Sequence, residues 1–243
     1  MQPRHSVVVP CYNEAPGLPA LVERFRALRA GDDDPWELVL VDNGSTDDSA
    51  AALAEAAARH PAWLRVVTVP PPNVGYGHGI VTGLRAARGE LLAWTHADGQ
   101  TPPGDVLAAL AILATSADPR RTLVKGRRRG RPLRDAAFTA GMELAALALL
   151  GEPLVDINAQ PKAFHRELLA LADRPPVDLS LDLYLLHVAR RHGFALRTFD
   201  VRFGARAHGA SRWAFDWPSK ARHIARTVTF MRALRRGGDW RVA

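Results

Sequence analysis

The sequence contains one cysteine and only three lysines among 243 residues. A single thiol excludes a disulfide framework and a thiolate zinc cluster. Nine histidines are present, but none stands at metal-ligand spacing, so a structural zinc is not expected. Long hydrophobic runs are missing as well. The longest, Phe138 to Leu150, is interrupted by Glu143 and falls short of the roughly 20 residues of a membrane span. The opening stretch MQPRHSVVVP breaks its apolar run at Pro10 and does not read as a signal peptide. With 47% hydrophobic and 23% charged residues, the chain has the composition of a globular protein, not of a disordered one. The expectation is a soluble, cytoplasmic protein with no transmembrane segment.

Because lysine is scarce, the net charge of +7 is carried almost wholly by guanidinium groups. It is unevenly spread. Residues 1–100 hold 8 basic and 12 acidic side chains, whereas residues 101–243 hold 24 and 13. The densest run, Arg120 to Arg134, has eight basic residues in fifteen and no acid. Arginine's planar fork suits phosphate recognition, and a solvated surface explains such a run equally well. Aromatic residues do not interleave with it as they do on single-strand nucleic-acid platforms, so nucleic acid is not an expected partner. The segment Ser219–Arg236 reads as a basic helix that either packs on the core or lies on an anionic membrane surface.

The first half alternates strand and helix signals. Short β-branched runs fall at Ser6–Val9, Glu37–Val41, Leu64–Val69, Leu91–Thr95 and Thr122–Val124. Helical stretches lie between them at Leu18–Ala30, Asp47–His60, Gly79–Arg88 and Asp105–Thr115. This alternation predicts an α/β fold with a mostly parallel sheet covered on both faces. Beyond residue 134 the pattern is largely helical, over Arg134–Leu150, His165–Ala172, Ser180–His192 and Ser219–Arg236, with one late strand at Ala195–Phe203. No repeat or linker divides the chain. It reads as a single domain over 1–243, whose halves 1–100 and 101–243 differ in charge.

In open α/β sheets ligands gather beyond the C-terminal strand ends. Here those ends lead into Pro10-Cys11-Tyr12-Asn13-Glu14, Asp42-Asn43-Gly44-Ser45, the glycine-rich stretch 70–79, His96-Ala97-Asp98-Gly99-Gln100, and Lys125-Gly126-Arg127-Arg128-Arg129. Carboxylates and arginines converging on one rim suit a nucleoside diphosphate with a divalent metal. Asp98, helped by Gln100, supplies hard oxygen ligands, and His96 shares Asp98's face of an extended backbone. Taken alone, Asp98 and Asp42 read as turn residues. The glycines at 75, 77, 79 and 83 match no phosphate-binding loop and read as close-packing positions. Cys11 reads as a small core filler.

Taken in order, these segments resemble family 2 glycosyltransferases of the GT-A fold, and among them the dolichyl- and polyprenyl-phosphate hexosyltransferases. The resemblance rests on Val8 to Glu14, Val41 to Ser45, Asn73 to Gly83, His96 to Gln100, Gly126 to Arg128, Asp156, Phe164 to Leu169, Asp182 and Arg206 to Arg212. It covers roughly residues 5–215. It implies a Rossmann-like, mostly parallel sheet with a helical C-terminal portion. It further implies a GDP- or UDP-sugar donor held by Pro10, Tyr12, Glu14, Val41, Asn43 and the His96-Ala97-Asp98 motif, with Mg²⁺ or Mn²⁺ on Asp98, Gln100 and His96. Arg128, Arg206 and Arg212 would face phosphates, and Arg134 with Arg212 a lipid-phosphate acceptor. Asp98, Asp182 and Arg128 are the implied catalytic residues, with Asp182 the base should the acceptor be a hydroxyl.

The sequence departs from that pattern at His96, where relatives carry the first Asp of Asp-X-Asp, and at Asn43, which stands for an Asp. The segment Asp156 to Lys162 keeps a leading acid and a final cation but not the middle. The implied activity is inverting transfer of a hexose from a GDP-mannose or UDP-glucose type donor to a polyprenyl phosphate, with peripheral membrane contact through the basic face. A hydroxyl acceptor and a catalytically silent nucleotide- or polyanion-binding protein stay open beside it.

Overall fold

The structure is a computed structural model, and it describes residues 3–29, 35–130, 133–202, 204 and 217–237. The elements run β1 (His5–Cys11), α1 (Leu18–Arg29), β2 (Trp36–Asn43), α2 (Ser49–Arg59), β3 (Leu64–Val69), α3 (Tyr76–Ala86), β4 (Leu91–Trp94) and α4 (Pro103–Ala114). The second half adds β5 (Thr122–Arg129), α5 (Leu133–Leu150), β6 (Lys162–His165), α6 (Arg166–Leu171), α7 (Ser180–Arg191), β7 (Ala195–Arg202) and α8 (Trp217–Arg235). All seven strands join one sheet in the order β3-β2-β1-β4-β6-β5-β7. The two halves of the chain thus share one hydrogen-bonded layer.

Strands β1 and β2 are apolar on both faces because both faces are covered. Alternation decides which side chain goes where. Val7 and Val9 join a core with Leu21, Phe25, Leu53 and Leu110 from α1, α2 and α4, while Val8 joins Ile80, Leu84, Leu185 and Met231 from α3, α7 and α8 on the other face. The helices meet the sheet through stripes of helical period, as in α1, where Leu18, Leu21, Val22 and Phe25 are buried. The result is the mostly parallel, helix-flanked sheet that the alternating pattern predicts.

Three local expectations are corrected. Strand β6 lies inside a segment without a strand signal, and it runs antiparallel to both β4 and β5. Its start is therefore level with the end of β4, with Lys162 opposite Trp94. Strand β5 extends to Arg129, five residues past the expected Val124, because Gly126 to Arg129 pair with Phe199 to Arg202 of β7. Helix α3 starts at Tyr76, not Gly79. Its glycines are close-packing positions as expected: a Cβ on Gly77 would lie 2.3 Å from the Pro176 carbonyl oxygen, and one on Gly79 2.7 Å from the Asn43 side chain.

Candidate functional site

The strand order reverses between β1 and β4, which places a ligand crevice at their C-terminal ends. On one side, the loops after β1 and β2 are laced together. Ser45 Oγ accepts from Asn13 N at 3.2 Å, Ser49 Oγ from Glu14 N at 2.9 Å, and Asn13 Oδ1 from Thr46 N at 2.8 Å. Asp42 Oδ1 accepts from Ser45 N at 3.0 Å and fixes the turn. These bonds hold Pro10, Tyr12 and Glu14 half-buried at the rim. The side chains of two residues expected at the donor are engaged elsewhere. Val41 is wholly buried in the sheet, and Asn43 turns away to donate to the Gly75 carbonyl at 2.9 Å, anchoring the loop before α3. A strand-end position alone does not reveal which face its side chain takes.

Opposite lies the loop after β4. Asp98 is 9% exposed, and its Oδ1 accepts from Gln100 N at 3.0 Å across a turn with Gly99 at φ 72°. The His96 ring stacks on Tyr76, centroids 5.5 Å apart. Glu14, Ala97, Asp98 and Gly99 line one cleft together with Arg24 of α1, a cation that no sequence signal pointed to. Gln100 is not aimed at Asp98's ligand position. Its Nε2 donates to the Gly204 carbonyl at 3.2 Å while its own carbonyl accepts from Gly204 N at 2.9 Å. Gln100 therefore clamps the chain just before the Arg206–Arg212 segment. Arg206 and Arg212 themselves, and the side chain of Arg134 in the first turn of α5, lie outside the described residues.

Joined to the β4 loop through the Tyr76–His96 stack is a buried polar layer that the sequence shows only in part. Lys162 is wholly buried, ion-paired to Asp182 and set over the Trp94 ring at 5.2 Å. Gln160 Nε2 donates both to the same Asp182 oxygen at 2.9 Å and to the Tyr76 hydroxyl at 3.1 Å. Asp182 is 1% exposed. Its carboxylate is engaged by a cation and an amide and is sealed from the rim, which does not suit the expected general base. Burial, with the Asp182 and Asp98 carboxylates nearby, lifts the Tyr76 phenol well above its ordinary range and keeps it protonated.

Within the arginine run, Arg128 is more internal than a solvated loop residue, with its side chain 13% exposed. Arg128 donates to both Asp156 oxygens, through its backbone N at 2.7 Å and its Nε at 3.0 Å. Arg127 and Arg129 share Asp200 of β7. Burial raises the Asp156 carboxyl, but the bonds from Arg128 outweigh it and hold that group below its usual range. Arg128, expected on the donor phosphates, is here a partner of Asp156. Cys11 is a buried thiol, pushed far up by burial and by the Glu14 and Asp42 carboxylates, and is no nucleophile.

Lys125 donates to the carbonyls of Gly126, Val155 and Asp156 at 2.8–2.9 Å. Burial, aided by the charge of Lys162, brings it down to about 7. The unfolded chain then binds one more proton than the folded chain between about pH 7 and the ordinary lysine range, so this group adds stability as pH rises through that window. Thermal melting at pH 7 and 9 should show wild type gaining about 2 kcal/mol that Lys125→Met does not gain. Parallel pH profiles for the two proteins would refute it.

The family model for glycosyl transferase family 2 matches residues 6–152. This chain belongs to glycosyltransferase family 2. Among curated relatives, it is 35% identical over 222 residues to an uncharacterized glycosyltransferase of Mycobacterium bovis, covering 85% of this chain and 88% of that one. It is 29% identical over 220 residues to an undecaprenyl-phosphate 4-deoxy-4-formamido-L-arabinose transferase of Pectobacterium carotovorum, over 86% of this chain but only 62% of that protein's length. Among solved structures, glucosyl-3-phosphoglycerate synthase from Mycobacterium tuberculosis, in complex with Mn²⁺, UDP and glucosyl-3-phosphoglycerate, superposes with a TM-score of 0.72. It is 22% identical and covers 98% of this chain and 81% of its own. The fold is therefore that of GT-A glycosyltransferases.

Within this family-2 glycosyltransferase, the donor set fits a divalent cation. Among the described residues, no three His, Cys, Asp or Glu side chains form a closed metal cage. A carboxylate and an imidazole on one short loop, beside an open cleft, suit a cation that completes its shell with ligand phosphate oxygens. Asp98 and His96 are the residues that would hold such a cation, and the backbone N of Gln100 shapes their loop by its bond to Asp98.

Proposed function

We propose that this glycosyltransferase moves a sugar from a nucleoside-diphosphate donor, of the UDP-glucose or GDP-mannose type, onto a polyprenyl phosphate. The observation that carries the acceptor half is the state of Asp182. A hydroxyl acceptor needs a carboxylate to take its proton, and the acid expected to do so is buried on Lys162. A phosphate acceptor arrives ionised and needs none. Undecaprenyl-phosphate transferases among the relatives support the same reading.

On this reading the half-buried Tyr12 and Glu14 receive the nucleoside, and the cleft that Glu14 shares with Asp98 receives the diphosphate. A divalent cation, held by Asp98 and His96, supplies positive charge where the leaving diphosphate becomes more negative. Arg24 adds a further cation at that cleft, and stabilising charge that develops at the leaving group is the main catalytic contribution. Arg134 and Arg212 are assigned to the acceptor phosphate, Arg206 and Arg212 to the donor. Purified protein incubated with labelled UDP- and GDP-sugars, Mn²⁺ or EDTA, and either undecaprenyl phosphate or saccharide acceptors tests this. Product is expected with lipid phosphate, one nucleotide and metal. Product formed only on hydroxyl acceptors would displace the reading.

A further inference from the structure

The N-terminal ends of the parallel strands carry a second cavity. Arg29 closes α1, Trp36 and Glu37 open β2, Trp63 and Arg65 flank the first residue of β3, and Arg88 follows α3. All of them line one cavity of about 230 Å³. It shares no lining residue with the cleft of Glu14 and Asp98. Strand β2 runs from Trp36 to Asn43, so the cavity lies a strand's length, roughly 23 Å, from the strand ends that face that cleft.

Its walls are aromatic and cationic. Trp36 and Trp63 meet edge to face with centroids 5.8 Å apart, and the Arg29 guanidinium lies 5.2 Å from the Trp36 centroid. Trp36 is 1% exposed, and its indole N–H has no hydrogen-bond partner among the described residues. Three arginines share the cavity with one carboxylate. Buried Glu37 is fully engaged: one oxygen accepts from Ser6 Oγ at 2.8 Å and Arg88 N at 2.5 Å, and the other pairs with Arg65 at 3.2 Å. Arg65 also donates to the Ala86 carbonyl, and Arg29 to the Trp36 carbonyl, so both guanidiniums are held in place. The Arg88 side chain is exposed, and its guanidinium meets no partner among the described residues.

Stacking accounts for Arg29, and the Glu37 pair accounts for Arg65. Neither accounts for an open cavity bordered by two tryptophans and a third guanidinium. Its size and walls define what it can take. A cavity of about 150 Å³ holds a benzene molecule, so this one has room for an aromatic ring bearing an oxyanion. Guanidinium groups bind carboxylate and phosphate oxygens through paired donors, and indole walls receive a flat apolar body. We propose that this cavity is a second ligand site, for a small aromatic carboxylate or phosphate, separate from the sugar-transfer site. It rests on neither the donor nor the acceptor reading. Asp32, Asp33 and Asp34 stand in the sequence between Arg29 and Trp36, outside the described residues. The full chain is therefore titrated, so that the measured affinity includes their charge.

Calorimetry in EDTA, with tryptophan emission read in parallel, tests the site with phenyl phosphate, benzoate, inorganic phosphate and phenol. Wild type should bind phenyl phosphate or benzoate saturably, with a change in tryptophan emission, and about tenfold more tightly than inorganic phosphate or phenol. The better of the two aromatic anions tells phosphate from carboxylate. Arg88→Glu keeps the backbone bond to Glu37, so it should melt like wild type, yet bind the aromatic anion at least about tenfold more weakly. Arg88→Gln, which removes the charge without reversing it, should show a milder loss in the same direction. Arg24→Gln, which takes the cation from the transfer cleft, should bind as wild type does. Loss of binding in Arg24→Gln with binding intact in both Arg88 variants would place the anion in the transfer cleft and overturn the proposal. So would the absence of saturable binding by wild type, or equal affinity for phenyl phosphate and inorganic phosphate.

Discussion

Asp98→Asn should lower sugar transfer by about three orders of magnitude while leaving the protein as stable as wild type. The asparagine is chosen because its side-chain oxygen can still accept the bond from Gln100 N, which in the native loop is 3.0 Å long. The turn around Gly99 therefore survives, and the clamp between Gln100 and Gly204 with it. What is lost is the negative charge. If that charge holds a divalent cation against the donor diphosphate, calorimetric titration should show nucleotide affinity that depends on Mn²⁺ in wild type and no longer does in the variant. Asp98→Ala should give the same kinetic loss with an added stability cost of about 1 kcal/mol, from the missing turn bond. Turnover within tenfold of wild type in Asp98→Asn would remove Asp98 from the metal assignment and leave Arg24 and the arginines to carry the diphosphate.

The contrast between what the sequence discloses and what it hides follows interaction range. Strands β1 and β2 are legible because their unbroken Val and Leu runs state burial on both faces by composition alone. The loops at their ends are legible for the same reason, since a strand's C-terminal end is where such sheets bind ligands. Glu14 and Asp98 do line one cleft. Strand β6 was hidden because it is four residues long and draws its identity from two neighbours that flank it antiparallel. No local periodicity encodes that.

Charge partners were hidden in the same way. Arg127 meets an aspartate 73 positions on, and Arg128 one 28 positions on. A run of arginines therefore looks solvated until the sheet pairs β5 with β7. The sequence did carry one faint clue to the buried layer: Lys162, one of only three lysines, stands beside apolar Ala163 and Phe164. A rare cation in an apolar segment implies a buried counter-charge, and Asp182 fulfils that role.

That counter-charge leads to the second large effect. Lys162→Met leaves the Asp182 carboxylate at 1% exposure without its cation. Breaking a buried pair from one side costs about 3–5 kcal/mol, so melting should fall by roughly 10 °C in a chain of this size. Asp182→Leu alone should cost a similar amount, because it strands Lys162 over Trp94. The double variant removes both charges together, and its loss should be clearly smaller than the sum of the two single losses. The same pair separates a positioning role from a catalytic one. Asp182 touches Tyr76 through Gln160, and Tyr76 stacks on His96, so the ion pair supports the metal loop from behind. Asp182→Asn should therefore reduce kcat and melting temperature together, leave the acidic limb of the pH–rate profile in place, and shift the Mn²⁺ dependence of donor binding. A general base would behave in the opposite manner. Its loss would cost about two to four orders of magnitude in rate at unchanged stability and erase that limb, and such a result would return Asp182 to the catalytic role and a hydroxyl to the acceptor.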